Sequence, residues 1–175
     1  MRRWRVAGLL VVLLAVGPVP SHLPSPALAS GGPAAAVVSL PHRVPAAIAR
    51  EDLEQAALRL LNAERALAGL SSLVPDAGIR TAARRHGREL FASGVLSHRS
   101  RDGRWPAQRL RALGIRTTVV GENLAYAADV AEAHRMLMAS TDHRRNILSA
   151  RYRRVGLAVL DGGTFGIVVV QDFSD

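Results

Sequence analysis

The sequence predicts an α+β fold, a three-layer α-β-α sandwich with a small, mainly antiparallel central sheet. Two observations carry it. Apolar residues recur at helical spacing through successive segments between residues 50 and 140. The C-terminal part then changes period. Val155-Gly156-Leu157-Ala158-Val159-Leu160 and Phe165-Gly166-Ile167-Val168-Val169-Val170 are continuous apolar runs joined by Asp161-Gly162-Gly163, a hairpin signal. Strands with unbroken hydrophobicity are covered on both faces, and helices are available to cover them.

A first helix spans Arg50 to Ala68, where Leu53, Ala56, Ala57, Leu60, Leu61 and Leu67 form a stripe. Glu51 and Asp52 suit its N-terminus and Gly69 its end. Glu64 falls within the stripe, which predicts an ion pair with an arginine of a neighbouring helix or a reach to solvent. Pro75-Asp76 opens a second helix with Ile79, Ala82, Ala83, His86 and Leu90 inward, ending at Gly94. On that apolar face His86 is expected to be a hydrogen-bonded core residue rather than a ligand. Pro106 suits the first turn of a short third helix carrying Leu110 and Leu113, closed by Gly114. Thr117 to Val120 is a short β-branched run. A fourth helix follows from about Asp129, with Val130, Ala133, Leu137 and Met138 on one side and Met136 and Met138 as core filler.

The N-terminus predicts export. Arg2, Arg3 and Arg5 precede an apolar run from Val6 to Val16, and Ala27-Leu28-Ala29 forms a small-residue cleavage site before Ser30. The run is shorter than the ~20 residues a membrane-spanning helix needs. Residues 1–29 are therefore expected to be a signal peptide, leaving no stable transmembrane segment. Residues 30–49, rich in Ala, Pro and Gly, are expected to be a flexible linker, and residues 50–175 one domain. The chain has no cysteine, so an exported form depends on its core alone. Cleavage removes three arginines and no acids, taking the formal charge from +9 to +6. Every basic residue is arginine, scattered with little aromatic interleaving. That balance favours anionic surfaces, but no nucleic-acid reading motif accompanies it.

Candidate chemistry lies between His98 and His143. His98, Glu122 and His143 each occupy a polar, loop-like setting between helical patterns, and they are expected to converge on one cleft. Two imidazoles and a carboxylate can hold Zn²⁺ and leave a position for water, although the short zinc motif with two histidines on one helical turn is absent. Without metal, Glu122 can orient a histidine as a general base. The same groups can also simply brace loops. Ser97, Ser100 and Ser140 lie near the histidines, but no Gly-x-Ser-x-Gly elbow occurs. Thr141 and Asp142 are expected to cap the turn opening at His143, and Asn146 to bond to backbone in that turn.

Leu61-Asn62-Ala63-Glu64-Arg65, Ser97-His98, Asp102-Gly103, Gly121-Glu122-Asn123-Leu124-Ala125, His143-Arg144-Arg145-Asn146-Ile147-Leu148 and Val170-Gln171-Asp172-Phe173 occur in order. Together they resemble the bacterial branch of the CAP superfamily, the SCP-like extracellular proteins, related to cysteine-rich secretory proteins, venom allergens and plant pathogenesis-related proteins. The resemblance covers residues 50–175. It implies an α-β-α sandwich, secretion, and a cleft with two histidines and two acids. His98, Glu122 and His143 match three of that tetrad, and Asn123, Ser140, Asp142 and Asn146 are expected to support the cleft. Ser140 stands where the resemblance implies the second acid, and serine cannot replace a carboxylate as base or charged ligand. The expected function is a secreted, monomeric binding module for an envelope polymer, lipid or protein ligand. No demonstrable catalysis and no required cofactor are expected, and no nucleic-acid partner. The alternatives are a divalent-metal-assisted, peptidase-like hydrolase using His98, Glu122 and His143, and a structural envelope protein.

Overall fold

The computed structural model describes the backbone of residues 13–20 and, in full, residues 37–175. The cleavage site at Ala27-Leu28-Ala29 lies outside the described residues. Strand β1 (Leu13–Pro20) pairs antiparallel with β6 (Val119–Ala127), from Leu13 opposite Ala125 to Pro20 opposite Val119. Part of the segment expected to serve in export therefore lies along a sheet edge. The sheet runs β1-β6-β8-β7-β3, with β3 at Ile48–Ala49, β7 at Arg154–Asp161 and β8 at Ile167–Ser174. These pairs are antiparallel; β4 (Val74–Pro75) joins β7 in parallel. β2 (Val38–Ser39) and β5 (Val95–Leu96) form a separate small ladder.

Residues 38–49 depart from the expected flexible linker. β2 and β3 pair with the domain, Leu40 and Ala47 are buried, and the backbone amides of Leu40 and Val44 donate to Gly94 and Phe91 at 2.8 Å each. Apolar residues within a Pro-rich stretch can thus anchor it without regular periodicity. The folded part begins ahead of Arg50. β7 and β8 form the predicted hairpin, bridged by a 3₁₀ turn at Gly163–Phe165.

Helix α1 (Glu51–Leu67) buries Glu54, Ala57, Leu61 and Arg65, whereas Leu67 is 84% exposed. Two of these four buried positions are charged because partners lie elsewhere in the chain. Arg84, on α2 (Ala77–Ser93), grips Glu54 with two hydrogen bonds of 2.8 and 2.6 Å. Arg65 donates to the carbonyls of Ser71, Ile147 and Ser149. Glu64 faces His134 Nε2 at 3.8 Å instead of an arginine. Asp76 caps α2 by accepting from the Ile79 amide, and Gly94 ends it in the left-handed region. α3 spans Pro106–Ala112 and α4 Val130–Ala139. A further short helix, α5 (Thr141–Ile147), occupies what the sequence left as a turn. Ser140 holds its N-cap position and Asp142 pairs with Arg145 at 2.9 Å, so the expected capping by Thr141 and Asp142 is not formed.

Strand alternation divides the core in two. Val119, Ala125 and Ala127 of β6, Val155, Leu157 and Val159 of β7, and Ile167, Val169 and Phe173 of β8 pack with α1, α4 and α5. Leu124, Tyr126, Ala158, Leu160, Val168 and Val170 face α2, and Val120 packs with α2 and α3. The predicted three layers follow from this division.

Candidate functional site

Alternation also sorts the polar residues at the sheet centre. Glu122 and Asp172 are register partners on β6 and β8, as are Asn123 and Gln171. The Glu122 side chain meets groups from α2 and α3, whereas Asn123 meets α5. All four are buried. Gly121-Glu122-Asn123 therefore lies inside a strand rather than in a loop. Its glycine has a packing reason: a Cβ there would lie 2.2 Å from the Tyr152 hydroxyl.

On the α2–α3 face, His98 Nδ1 lies 2.6 Å from Glu122 Oε1. Arg109 of α3 bonds Glu122 Oε2 through Nη2, donates through Nη1 to the His98 carbonyl at 2.8 Å, and lies 3.8 Å from Asp172. Arg109 thus fixes both members of the His98–Glu122 pair. His86 is fully buried and donates through Nε2 to the Ser97 carbonyl at 2.9 Å, the hydrogen-bonded core role its position predicts. Its Nε2 also lies 4.0 Å from Glu122.

Burial opposes ionisation of Glu122, but the charges of Arg109 and His86 and the hydrogen bond from His98 outweigh it and bring its pKa down to about 2. Asp172 moves the other way. Burial first, then the neighbouring charge of Glu122, raises it well above the usual carboxylate range. One acid of the pair is held ionised and the other is held towards its neutral form.

On the opposite face, Asn123 Nδ2 donates to the His143 carbonyl at 3.1 Å and to Gln171 Oε1 at 3.0 Å. Asn146 Nδ2 donates to Asn123 Oδ1 at 2.9 Å and to the Glu122 carbonyl at 3.3 Å. Asn146 therefore ties α5 to β6, where a bond within its own turn was expected. His143 Nδ1 lies 2.7 Å from Ser140 Oγ. His98, in the turn after β5, lies against Glu122, and His143, on α5, lies against Ser140. Asp142 is exposed and turned to Arg145.

A divalent metal would require converging lone pairs. His98 Nδ1 is engaged by Glu122, both Glu122 oxygens are engaged, and the Arg109 cation lies against that carboxylate. Among the described residues, no group of three or more His, Cys, Asp or Glu side chains is placed to hold a metal ion.

Sequence patterning missed Arg109 as a functional residue. Its signal is present: with Pro106 and Leu110 it forms the buried i, i+3, i+4 face of α3, so an arginine there needs a buried partner. Asp172 and Gln171 are the polar interruption of the apolar run in β8, and register with Glu122 and Asn123 explains them.

The layers and the polar centre together define an SCP-like sandwich domain. Residues 58–173 match CAP, the cysteine-rich secretory protein family, and the chain belongs to that family. It is 28% identical over 112 residues to the uncharacterized protein YkwD of Bacillus subtilis (strain 168), a match spanning 63% of this chain and 44% of the relative. The chain thus covers less than half of that relative's length.

Solved structures share the fold. An extracellular protein containing a SCP domain from Bacillus anthracis str. Ames matches with a TM-score of 0.65 and 24% identity, covering 70% of this chain and 40% of that one. An outer surface protein from Borrelia burgdorferi gives 0.69 and 16%, covering 74% and 96%. A cysteine-rich secretory protein from Staphylococcus aureus subsp. aureus Mu50 gives 0.60 and 20%, covering 70% and 38%. Among the described residues, no helix is long and apolar enough to cross a membrane.

Proposed function

We propose that this chain is an exported binding module that recognises a ligand of the cell envelope or extracellular space without turning it over. It is exported through residues 1–29 and acts as a monomer. The supporting observation is the commitment of Glu122: one oxygen goes to His98 and the other to Arg109. A buried carboxylate held in this way braces β6 against His98 and α3 and has little freedom to ligate a metal. The extracellular and outer-surface descriptions of the structural neighbours are consistent with export.

Sedimentation with purified bacterial cell walls tests this. The protein is expected to pellet with the walls and release no soluble fragments. Protein left in the supernatant at low salt would overturn the proposal.

One observation favours a second reading, a metal-independent hydrolase. Glu122 holds His98 by Nδ1, while Nε2 has no hydrogen-bond partner among the described residues. That is the arrangement of an oriented general base. Wall fragments released by the wild type but not by His98→Gln would support it.

A further inference from the structure

The segment 37–45 crosses the C-terminal end of α2, and its Val37, Arg43 and Pro45 form one wall of a groove of about 740 Å³; the turn at 97–101 forms another. Four exposed arginines line it: Arg43, Arg88, Arg99 and Arg101. Among the described residues, none of the four has a carboxylate within ion-pair distance, whereas Arg50, Arg80, Arg84, Arg85, Arg104, Arg109, Arg135, Arg145 and Arg154 all do. Among the described residues, the only acid in the lining is Glu89. It already faces Arg85 and His86 at 3.8 Å each and accepts weakly from the Arg101 amide at 3.5 Å.

The arginines are placed by local structure. The Arg43 stem lies over Gly94, where a Cβ would come within 2.6 Å of Arg43 Cγ, and the guanidinium of Arg99 lies 5.7 Å from the centre of the Trp105 ring. The groove floor includes His86 and Ser97, the residues packed behind the His98–Glu122 pair. It thus adjoins the candidate site.

We propose that this groove binds a flexible polyanion with a phosphate repeat, the chemical class of ligand for the binding module proposed above, on which this inference rests. Guanidinium groups pair with phosphate oxygens in a bidentate fork. Four of them spread along one groove suit successive phosphates better than a single ion. Among the described residues, the lining contains no Phe, Tyr or Trp on which a base could stack. Base stacking on aromatic side chains is the usual platform for single-stranded nucleic acid, so a polymer without bases is favoured.

Binding of fluorescently labelled inorganic polyphosphate to the full chain tests this, with oligo-dT of equal charge as the comparison. Arg88→Glu/Arg101→Glu is expected to weaken polyphosphate binding at least tenfold and to lower its salt dependence. Arg59→Glu/Arg135→Glu changes the net charge equally but on α1 and α4, in the opposite layer, and is expected to stay within twofold of wild type. If Arg88→Glu/Arg101→Glu fails to fold, Arg88→Gln/Arg101→Gln carries the same expectation. Equal weakening by the groove and control pairs would overturn the groove in favour of overall charge. Tighter binding of oligo-dT would overturn the ligand class. Absence of polyphosphate binding while the protein still pellets with cell walls would remove the groove and leave the binding module standing.

Discussion

Arg109 is the residue on which the α2–α3 half of the site depends. It neutralises Glu122, holds the His98 carbonyl and is the nearest cation to Asp172. Removing one partner of a buried pair leaves an uncompensated charge, which costs about 3–5 kcal/mol. Arg109→Met is therefore expected to lose stability on that scale in urea denaturation, and Arg109→Met/Glu122→Gln to recover part of the loss. The two acids give opposite pH dependences. Glu122 has a depressed folded pKa, so its contribution is present above its ordinary range and is lost as pH falls towards about 2. Asp172 has a raised folded pKa, so its contribution falls as pH rises from its ordinary range towards the folded value. Asp172→Asn is expected to flatten the decline in stability between acid and neutral pH, as read from thermal melts across that interval. The sequence grouped His98, Glu122 and His143, because a carboxylate and imidazoles between helical patterns seek partners, and the structure sets His98 against Glu122. It did not show Arg109, whose role depends on a helix crossing that no local pattern encodes.

The helices and strands were legible where one face alone decided burial. α2 and α4 follow their apolar stripes, with buried residues at the predicted spacing. α1 departs because Glu54 pairs with Arg84, 30 positions away, and Arg65 donates to Ile147 and Ser149 still farther along the chain, distances no window of periodicity spans. α5 was hidden in the polar run Thr141-Asp142-His143-Arg144-Arg145-Asn146, where only Ile147 announces a buried side, and the capping assigned to Asp142 gave way to its pair with Arg145. The approach of α2 to the sheet yields a test at this scale. A Cβ on Gly156 of β7 would lie 2.2 Å from the Ile79 carbonyl carbon and 2.3 Å from the Arg80 nitrogen, both backbone atoms of α2. Neither can rotate away. Gly156→Ala is expected to cost about 2–3 kcal/mol and to speed amide exchange in α2 relative to α4.

At the scale of the whole molecule, the apolar N-terminal segment has two candidate settings, a cleaved signal peptide and a strand on the open edge of β6. Intact-mass measurement of the exported protein is expected to give a chain starting at Ser30, with β1 removed and β6 as the free edge. A mass that retains residues 13–20 would instead make that strand a permanent part of the sheet. By itself the sequence determined the fold class, the order of the first four helices ahead of the C-terminal hairpin, and the family, because hydrophobic period and motif order are properties of neighbours along the chain. The tertiary structure alone decided that β6 carries Glu122 to one helical layer and Asn123 to the other, that Arg109 stands behind the carboxylate, and that residues 38–49 fold onto the domain. These depend on strand register and helix docking, which join positions far apart in the chain and are fixed only when the core closes.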